Sequence, residues 1–335
     1  MVIFGPNGSG KTNILEAVSM LSPGRGLRRA AAGDMVRNQE GIGWKVTGEI
    51  PDHTLETWTE TEGGRQVRID GKAATQIALG NHVSVVWLTP SMDRLWTEGS
   101  EGRRRFLDRM VLSFDPSHGE ATLTYEKAMR ERNRLLKDNI RDAHWYTALE
   151  IQMADSGARI QNARESAVTR LSAAQANAHS DFPRADLTIE GSDGQPLLKN
   201  AEDLREVFQS SRPLDLAAGR TLVGPHRSDL IASYSDKGIL AKSASTGEQK
   251  ALLISLVLAN ARALDAEDRR PILLLDEVAA HLDVDRRRSL YSELDKLNVQ
   301  SWMTGTGSEL FEDVAETCFK VEVSDQGNGS SIEIL

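Results

Sequence analysis

The 335-residue chain carries a single cysteine, Cys318, so it can build neither a disulfide framework nor a cysteine-based metal site. Aromatic residues make up only 5%. No set of interleaved rings is present on which unstacked bases could sit, so single-strand stacking is not supported. No apolar run approaches the roughly 20 residues that a membrane-spanning helix needs. The opening residues, MVIFGPNG, lack the basic segment and the apolar core of a secretory signal. Zinc spacing, a helix-turn-helix signature and an Asn-Lys-x-Asp guanine motif are all missing. An excess of positive charge is missing too. The net charge of -9 argues against broad attraction to nucleic acid but leaves room for a local basic patch. Together these exclusions point to a soluble cytoplasmic protein with no membrane partner.

What is present is enough apolar residue, 39%, for a sizeable core, in a length that suggests about two domains. The strongest local signal is Gly5-Pro6-Asn7-Gly8-Ser9-Gly10-Lys11-Thr12, which fits G-x-x-x-x-G-K-[ST]. Glycines let successive N–H groups turn toward one point. Lys11 supplies charge for the β- and γ-phosphates, and the Thr12 hydroxyl can ligate Mg²⁺. Val2-Ile3-Phe4 reads as the end of a strand. Ile14, Val18 and Leu21 recur at helical spacing, so a helix starting at Lys11, Thr12 and Asn13 would aim its N-terminus at the phosphates. The pattern predicts binding of Mg-ATP.

A second signal lies far downstream. Pro271 to Leu275 is an apolar run that ends in Asp276-Glu277, as a buried parallel strand does. Ligands in open α/β sheets sit beyond the carboxyl ends of strands. Asp276 would hold the Mg²⁺, and Glu277 would act as general base on the attacking water. The two motifs are so far apart that something large must be inserted between them. Just before the acidic strand, Ser245 and Glu248 fit a capping box ahead of a long apolar helix. That describes an ordinary capped core helix. The same free N–H groups could instead grip the γ-phosphate of ATP held by a second subunit. The order of phosphate loop, helix start and acidic strand is that of ABC-type ATPases.

Residues 91–214 are mostly helical in pattern. Projected at 100° per residue, Lys127, Arg130, Arg134, Lys137 and Arg141 share one face of a first helix, with Tyr125, Ala128, Met129, Leu135, Leu136 and Ile140 opposite. Arg132 falls on the apolar side, which calls for a buried or interface partner. A second helix, from about Trp145 to Ala178, could pair with the first as a hairpin. The basic stripe could follow a DNA backbone or be an ordinary solvated face. Arg103-Arg104-Arg105 is a second candidate, which could equally serve ATP-site pairing or packing. In Gly224 to Leu230, His226, Ser228 and Asp229 lie too close in sequence to converge as a hydrolase triad, and a turn with Arg227 as a contact residue fits better.

The chain resembles the bacterial recombinational-repair ATPase family RecF, related to SMC heads. The resemblance rests on GPNGSGKTNILEA (5–17), RRRFLDR (103–109), RERNRLLK (130–137), VGPHRSDL (223–230), STGEQKALL (245–253) and ILLLDEVAAHLD (272–283). It implies an α/β ABC-type P-loop ATPase head, a mixed sheet with flanking helices, interrupted by a mainly helical domain. The expected division is 1–90 plus 215–335 for the head and 91–214 for the insertion. The resemblance further implies an ATP-dependent homodimer on double-stranded or gapped DNA and weak, DNA-stimulated hydrolysis. It implies other recombination mediators as partners, help in loading RecA at gaps, and a place in the SOS response. By position, Ser245, Gly247, Glu248 and Gln249 become the signature used in trans. Asp283 sits in the D-loop, and Thr304 stands where transporter-type relatives place a sensor His. The family's chains begin with about two more strands than the four residues that precede the loop here, which implies lost base contacts and an exposed sheet edge. No Gln ends the strand Val83 to Leu88, so a water-positioning Gln is not assigned. A transporter ATPase subunit and an SMC-like structural clamp are the competing readings.

Overall fold

A computed structural model describes residues 1–36, 41–60, 63–191, 197–326 and 329–335. The chain begins with β1 (Val2–Phe4) and α1 (Lys11–Ser19). A meander follows of β2 (Trp44–Ile50), β3 (His53–Thr59), β4 (Gln66–Ile69) and β5 (Lys72–Ala73), and then β6 (Val85–Leu88). Next come α2 (Ser100–Phe114), α3 (Ser117–Lys137), α4 (Ala143–Ala176), β7 (Ala185–Glu190), α5 (Ala201–Ala218), β8 (Asp229–Tyr234) and β9 (Ile239–Leu240). The chain closes with α6 (Thr246–Asp265), β10 (Ile272–Leu275), α7 (Val284–Lys296), β11 (Gln300–Gly305), β12 (Lys320–Asp325) and β13 (Ser330–Ile334).

Contacts divide the chain into two units. The first comprises Met1–Asp93, Asn177–Pro183 and Ser245–Leu335. Its six-stranded sheet has the order β13-β12-β1-β11-β10-β6. Five of these strands run parallel, and β13 is antiparallel to β12. Short parallel strands such as Ile272–Leu275 read as unbroken apolar runs because both faces are covered. β1 lies inside the sheet between β12 and β11, so the strand that feeds the phosphate loop is not an edge. A separate antiparallel sheet, β2-β3-β4-β5, packs its inner face through Leu55 and Val67 into the core that holds Ile3, Leu15 and Leu274. α6 is buried almost throughout from Gln249 to Leu264, as a helix apolar on all sides must be.

The second unit comprises Arg94–Ala176 and Arg184–Ala244. Here the structure differs from the expected division, which ended the insertion at 214. The reason is strand pairing: β8 and β9 complete an antiparallel sheet with β7, which carries residues up to 244 into this unit. α3 and α4 form the expected pair of helices, joined with α5 by a core of Tyr125, Ala128, Met153, Ala154, Leu204 and Phe208. Among the described residues, no helix is long and apolar enough to cross a membrane.

Candidate nucleotide site

Because β6, β10, β11 and β1 are parallel neighbours, their carboxyl ends lie along one edge of the sheet. The segment Gly5–Gly10 leaves β1 at that edge and enters α1. Gly5 has φ 150°, and a Cβ there would lie 2.0 Å from the Val323 carbonyl oxygen. Gly10, at φ 100°, forms the left-handed entry to α1. Both positions therefore need glycine. Lys11 is 4% exposed, and its Nζ donates to the carbonyls of Gly5 at 2.7 Å and Pro6 at 2.8 Å, which curls the loop around the ammonium. Ser9 is fully buried, while Pro6, Asn7 and Gly8 are exposed. Asn13, expected among the nucleotide contacts, accepts through its side-chain oxygen from Arg28 at 2.8 Å.

Across the edge, the Thr12 hydroxyl donates to Asp276 at 3.0 Å, although the two are 264 residues apart. Asp276 is buried, and its Oδ1 also accepts from the Thr304 hydroxyl at 2.7 Å. The same Thr304 oxygen accepts from the backbone N–H of Glu277 at 2.9 Å. Glu277 follows in the left-handed region at φ 53°, a conformation that a non-glycine residue adopts only when its surroundings enforce it. Thr304 stands at the position that transporter-type relatives give to a sensor His. It is fully buried, and its one hydroxyl proton is committed to Asp276, so it cannot also donate to a phosphate.

At the start of α6, Ser245 N and Oγ both donate to Glu248 Oε2 at 2.8 Å, and Glu248 N donates back to Ser245 Oγ at 3.4 Å. The capping box is therefore formed, and it holds the Glu248 carboxylate within the chain. Gln249 is 5% exposed, so its side chain is not on the open face assigned to it; Ser245 and Gly247 are exposed. Asp283 caps α7 by accepting from Arg286 N at 2.8 Å, and its carboxylate remains exposed.

In the second unit, Lys127, Arg130, Arg134 and Lys137 all lie exposed on α3. Arg130 pairs with Glu126 at 3.6 Å and Arg134 with Asp138 at 4.0 Å. Arg141 lies beyond the end of α3 at Lys137, so it does not continue the helical stripe. The chain leaves the helix there through Asn139, which has φ 51°. Arg103 forms a bidentate pair with Asp229, and Arg104 donates to the Ser228 carbonyl at 2.7 Å. Those side chains are consumed by packing. His226 Nδ1 lies 2.7 Å from the Tyr125 hydroxyl, and Ser228 Oγ donates to the Pro225 carbonyl at 3.0 Å. With Asp229 held by Arg103, no triad forms from this segment.

Asp93 belongs to none of the motifs read from the sequence. It lies in a 3-10 turn, Pro90–Arg94, just after β6, and its Oδ2 is 3.6 Å from the Nζ of Lys250, the fifth residue of α6. Lys250 is 6% exposed. Burial lowers its pKa, and the carboxylates of Asp93 and Glu277 oppose that shift. The only signal in the sequence was its place shortly after a predicted strand.

Comparison with known proteins agrees with this geometry. A family described as RecF/RecN/SMC N terminal domain matches residues 1–330. The DNA replication and repair protein RecF of Brucella suis biovar 1 (strain 1330) is 49% identical, covering 94% of this chain and 86% of that protein. Its namesake in Rhizobium meliloti (strain 1021) is 45% identical over 94% and 88%. A solved structure of the recombination mediator protein RecF with ATP, in the RecFOR pathway, superposes with TM-score 0.81 at 25% identity, over 100% of this chain and 92% of that one. An Smc head bound to the C-winged helix domain of ScpA shares the fold alone, with TM-score 0.52 at 14% identity over 100% and 89%. With a phosphate loop facing an acidic strand and close to half of all residues shared along nearly the whole length, the chain belongs to the RecF family.

Proposed function

We propose that this chain is an ATP-driven dimeric switch that acts on DNA in replication and repair. The observation that carries the reading is the Thr12 to Asp276 hydrogen bond, which joins the two halves of a nucleotide motif across 264 residues. A hydroxyl and a carboxylate side by side suit Mg²⁺, which takes oxygen ligands and uses one or two carboxylates together with substrate phosphates. Thr12 and Asp276 would hold that ion, which neutralises phosphate charge when bound. The loop N–H groups and Lys11 would bind the phosphates.

Glu277 would accept the proton of the attacking water. Its backbone is fixed by Thr304 rather than left to a mobile loop. The exposed Ser245 and Gly247 at the N-terminus of α6 would meet the γ-phosphate of ATP bound to a second copy. ATP would then bridge two heads, and its hydrolysis would release them. Asp283, exposed at the start of α7, would lie at the same junction. Double-stranded or gapped DNA is the substrate that the reading favours, with the stripe on α3 as one contact surface. Other mediators of recombination are the expected partners.

Light-scattering mass with and without ATP and Mg²⁺, repeated with duplex and gapped DNA, tests the reading. The mass is expected to double with ATP. Lys11→Ala should stay monomeric. Glu277→Gln should dimerise, turn over slowly and release late. An ATP-dependent dimer of Lys11→Ala, or normal turnover by Glu277→Gln, would refute the corresponding role.

A further inference from the structure

The hydrolysis site proposed above lacks a residue to orient the attacking water, since no Gln ends β6. Another acceptor is nearby. β6 and β10 are parallel neighbours, with Leu88 opposite Leu275, and Asp276 N donates to the Leu88 carbonyl at 2.9 Å. The turn Pro90–Arg94 therefore leaves the sheet at the edge that carries Asp276 and Glu277. Within that turn, Asp93 presents two carboxylate oxygens with different fates. Oδ2 is matched by Lys250 at 3.6 Å. Oδ1 is shut off from solvent and has no hydrogen-bond donor. A buried acceptor without a donor is the kind of orphan that a bound water explains. The Lys250 ammonium also feels the field of Glu277, so the three charged groups belong to one neighbourhood.

We infer that Asp93 orients the attacking water that Glu277 deprotonates, and that Lys250 is a positioning residue that holds the Asp93 carboxylate. The inference rests on the ATPase reading above. An ionised carboxylate can accept from both an ammonium and a water. One O–H of the water is held by Asp93 Oδ1, and the other faces Glu277. The water oxygen bonds to the γ-phosphorus, and the bond from phosphorus to the bridging oxygen breaks, leaving ADP. Glu277 takes one proton, and the other stays on the new phosphate. Asp93 thus does the work assigned elsewhere to a strand-end Gln, from a position a few residues later in the chain.

The test uses the full chain with ATP and Mg²⁺, comparing Asp93→Ala, Asp93→Asn, Lys250→Met and Lys250→Arg. Asn keeps the shape of Asp93 but has one oxygen to share between two donors. The first three variants are expected to lower kcat about tenfold or more. KM for ATP and the mass of the ATP-bound dimer should hold, while the dimer lifetime lengthens as kcat falls; the melting temperature should drop modestly in Asp93→Ala, which leaves the buried Lys250 without its counter-charge. Lys250→Arg, which keeps the charge, should restore turnover. Wild-type kcat in Asp93→Ala overturns the assignment. So does a joint loss of turnover, ATP binding and dimerisation in both Asp93 variants, which would make the pair a structural tie. A wild-type chain that neither dimerises nor hydrolyses ATP refutes the ATPase reading itself, and this inference with it.

Discussion

Thr304 shows how much one hydroxyl can organise. It donates to Asp276 and accepts from the N–H of Glu277, so a single oxygen links the expected metal ligand to the expected base. The left-handed backbone of Glu277 leaves its N–H with no partner in the strand ladder, and Thr304 supplies one. Thr304→Val keeps the shape and removes both bonds. Unpaired buried groups of this kind cost about 1–3 kcal/mol, so denaturant unfolding should show a loss of that order. Turnover should fall as well, because Glu277 loses its anchor. Thr304→Ser retains the hydroxyl and is expected to behave like the wild type in both assays. The sequence singled out this residue by its motif position but not its neighbours, because a motif position does not say where a lone proton goes.

The helices of the second unit carry a buried charge network rather than a purely apolar core. Arg132 on α3 is fully buried and donates to Glu150 on α4, to Asp215 on α5, to the Thr221 hydroxyl and to the Phe208 carbonyl. Its place on the apolar face was legible from helical periodicity, and so was its need for a partner. The partners were not, since they come from three later segments. Arg132→Met should cost roughly 3–5 kcal/mol, because buried Asp215 loses its counter-charge and Glu150 is left with Arg212 alone. Differential scanning calorimetry would register it as a drop in melting temperature.

His226, in the turn before β8, adds a pH dependence to the same unit. Its ring lies between the Tyr125 hydroxyl and the Thr221 carbonyl. Burial, with help from the charges of Arg227 and Arg104 and against the Thr221 hydrogen bond, lowers its pKa from 6.5 to about 4. The unfolded chain thus takes up a proton that the folded chain refuses. This contribution to stability is intact above pH 6.5 and is lost as pH falls toward 4, by up to roughly 3 kcal/mol. Unfolding curves across that range should flatten in His226→Asn.

For the molecule as a whole, the question is how a chain of net charge -9 would bind DNA. Phosphate contacts depend on local cations rather than on the total. The exposed Lys127, Arg130, Arg134 and Lys137 on α3 offer such a surface, and the acids beside Arg130 and Arg134 form only exposed pairs, which open at little cost. If the stripe tracks phosphates, Lys127→Glu with Lys137→Glu should weaken duplex binding and reduce the salt dependence by about one unit of slope per lost contact. ATP affinity should not change. An unaltered slope would leave α3 as a solvated face.

Linear order was enough to read the class of fold and the make-up of the phosphate loop. Gly5 to Thr12 must be consecutive to wrap a phosphate, and an apolar run ending in Asp276-Glu277 must be local to end a strand at the right edge, so both survive in linear order. It also determined the capping box at Ser245, which spans a single helical turn. The folded arrangement settles which of these residues are free to act. It showed Glu248 and Gln249 held within the chain, Thr304 turned to Asp276, and Arg103 joined to Asp229. It also brought Asp93 to Lys250. The physical reason is that a side chain has few donors and acceptors. Which ones are already spent depends on neighbours that the fold supplies from far along the chain.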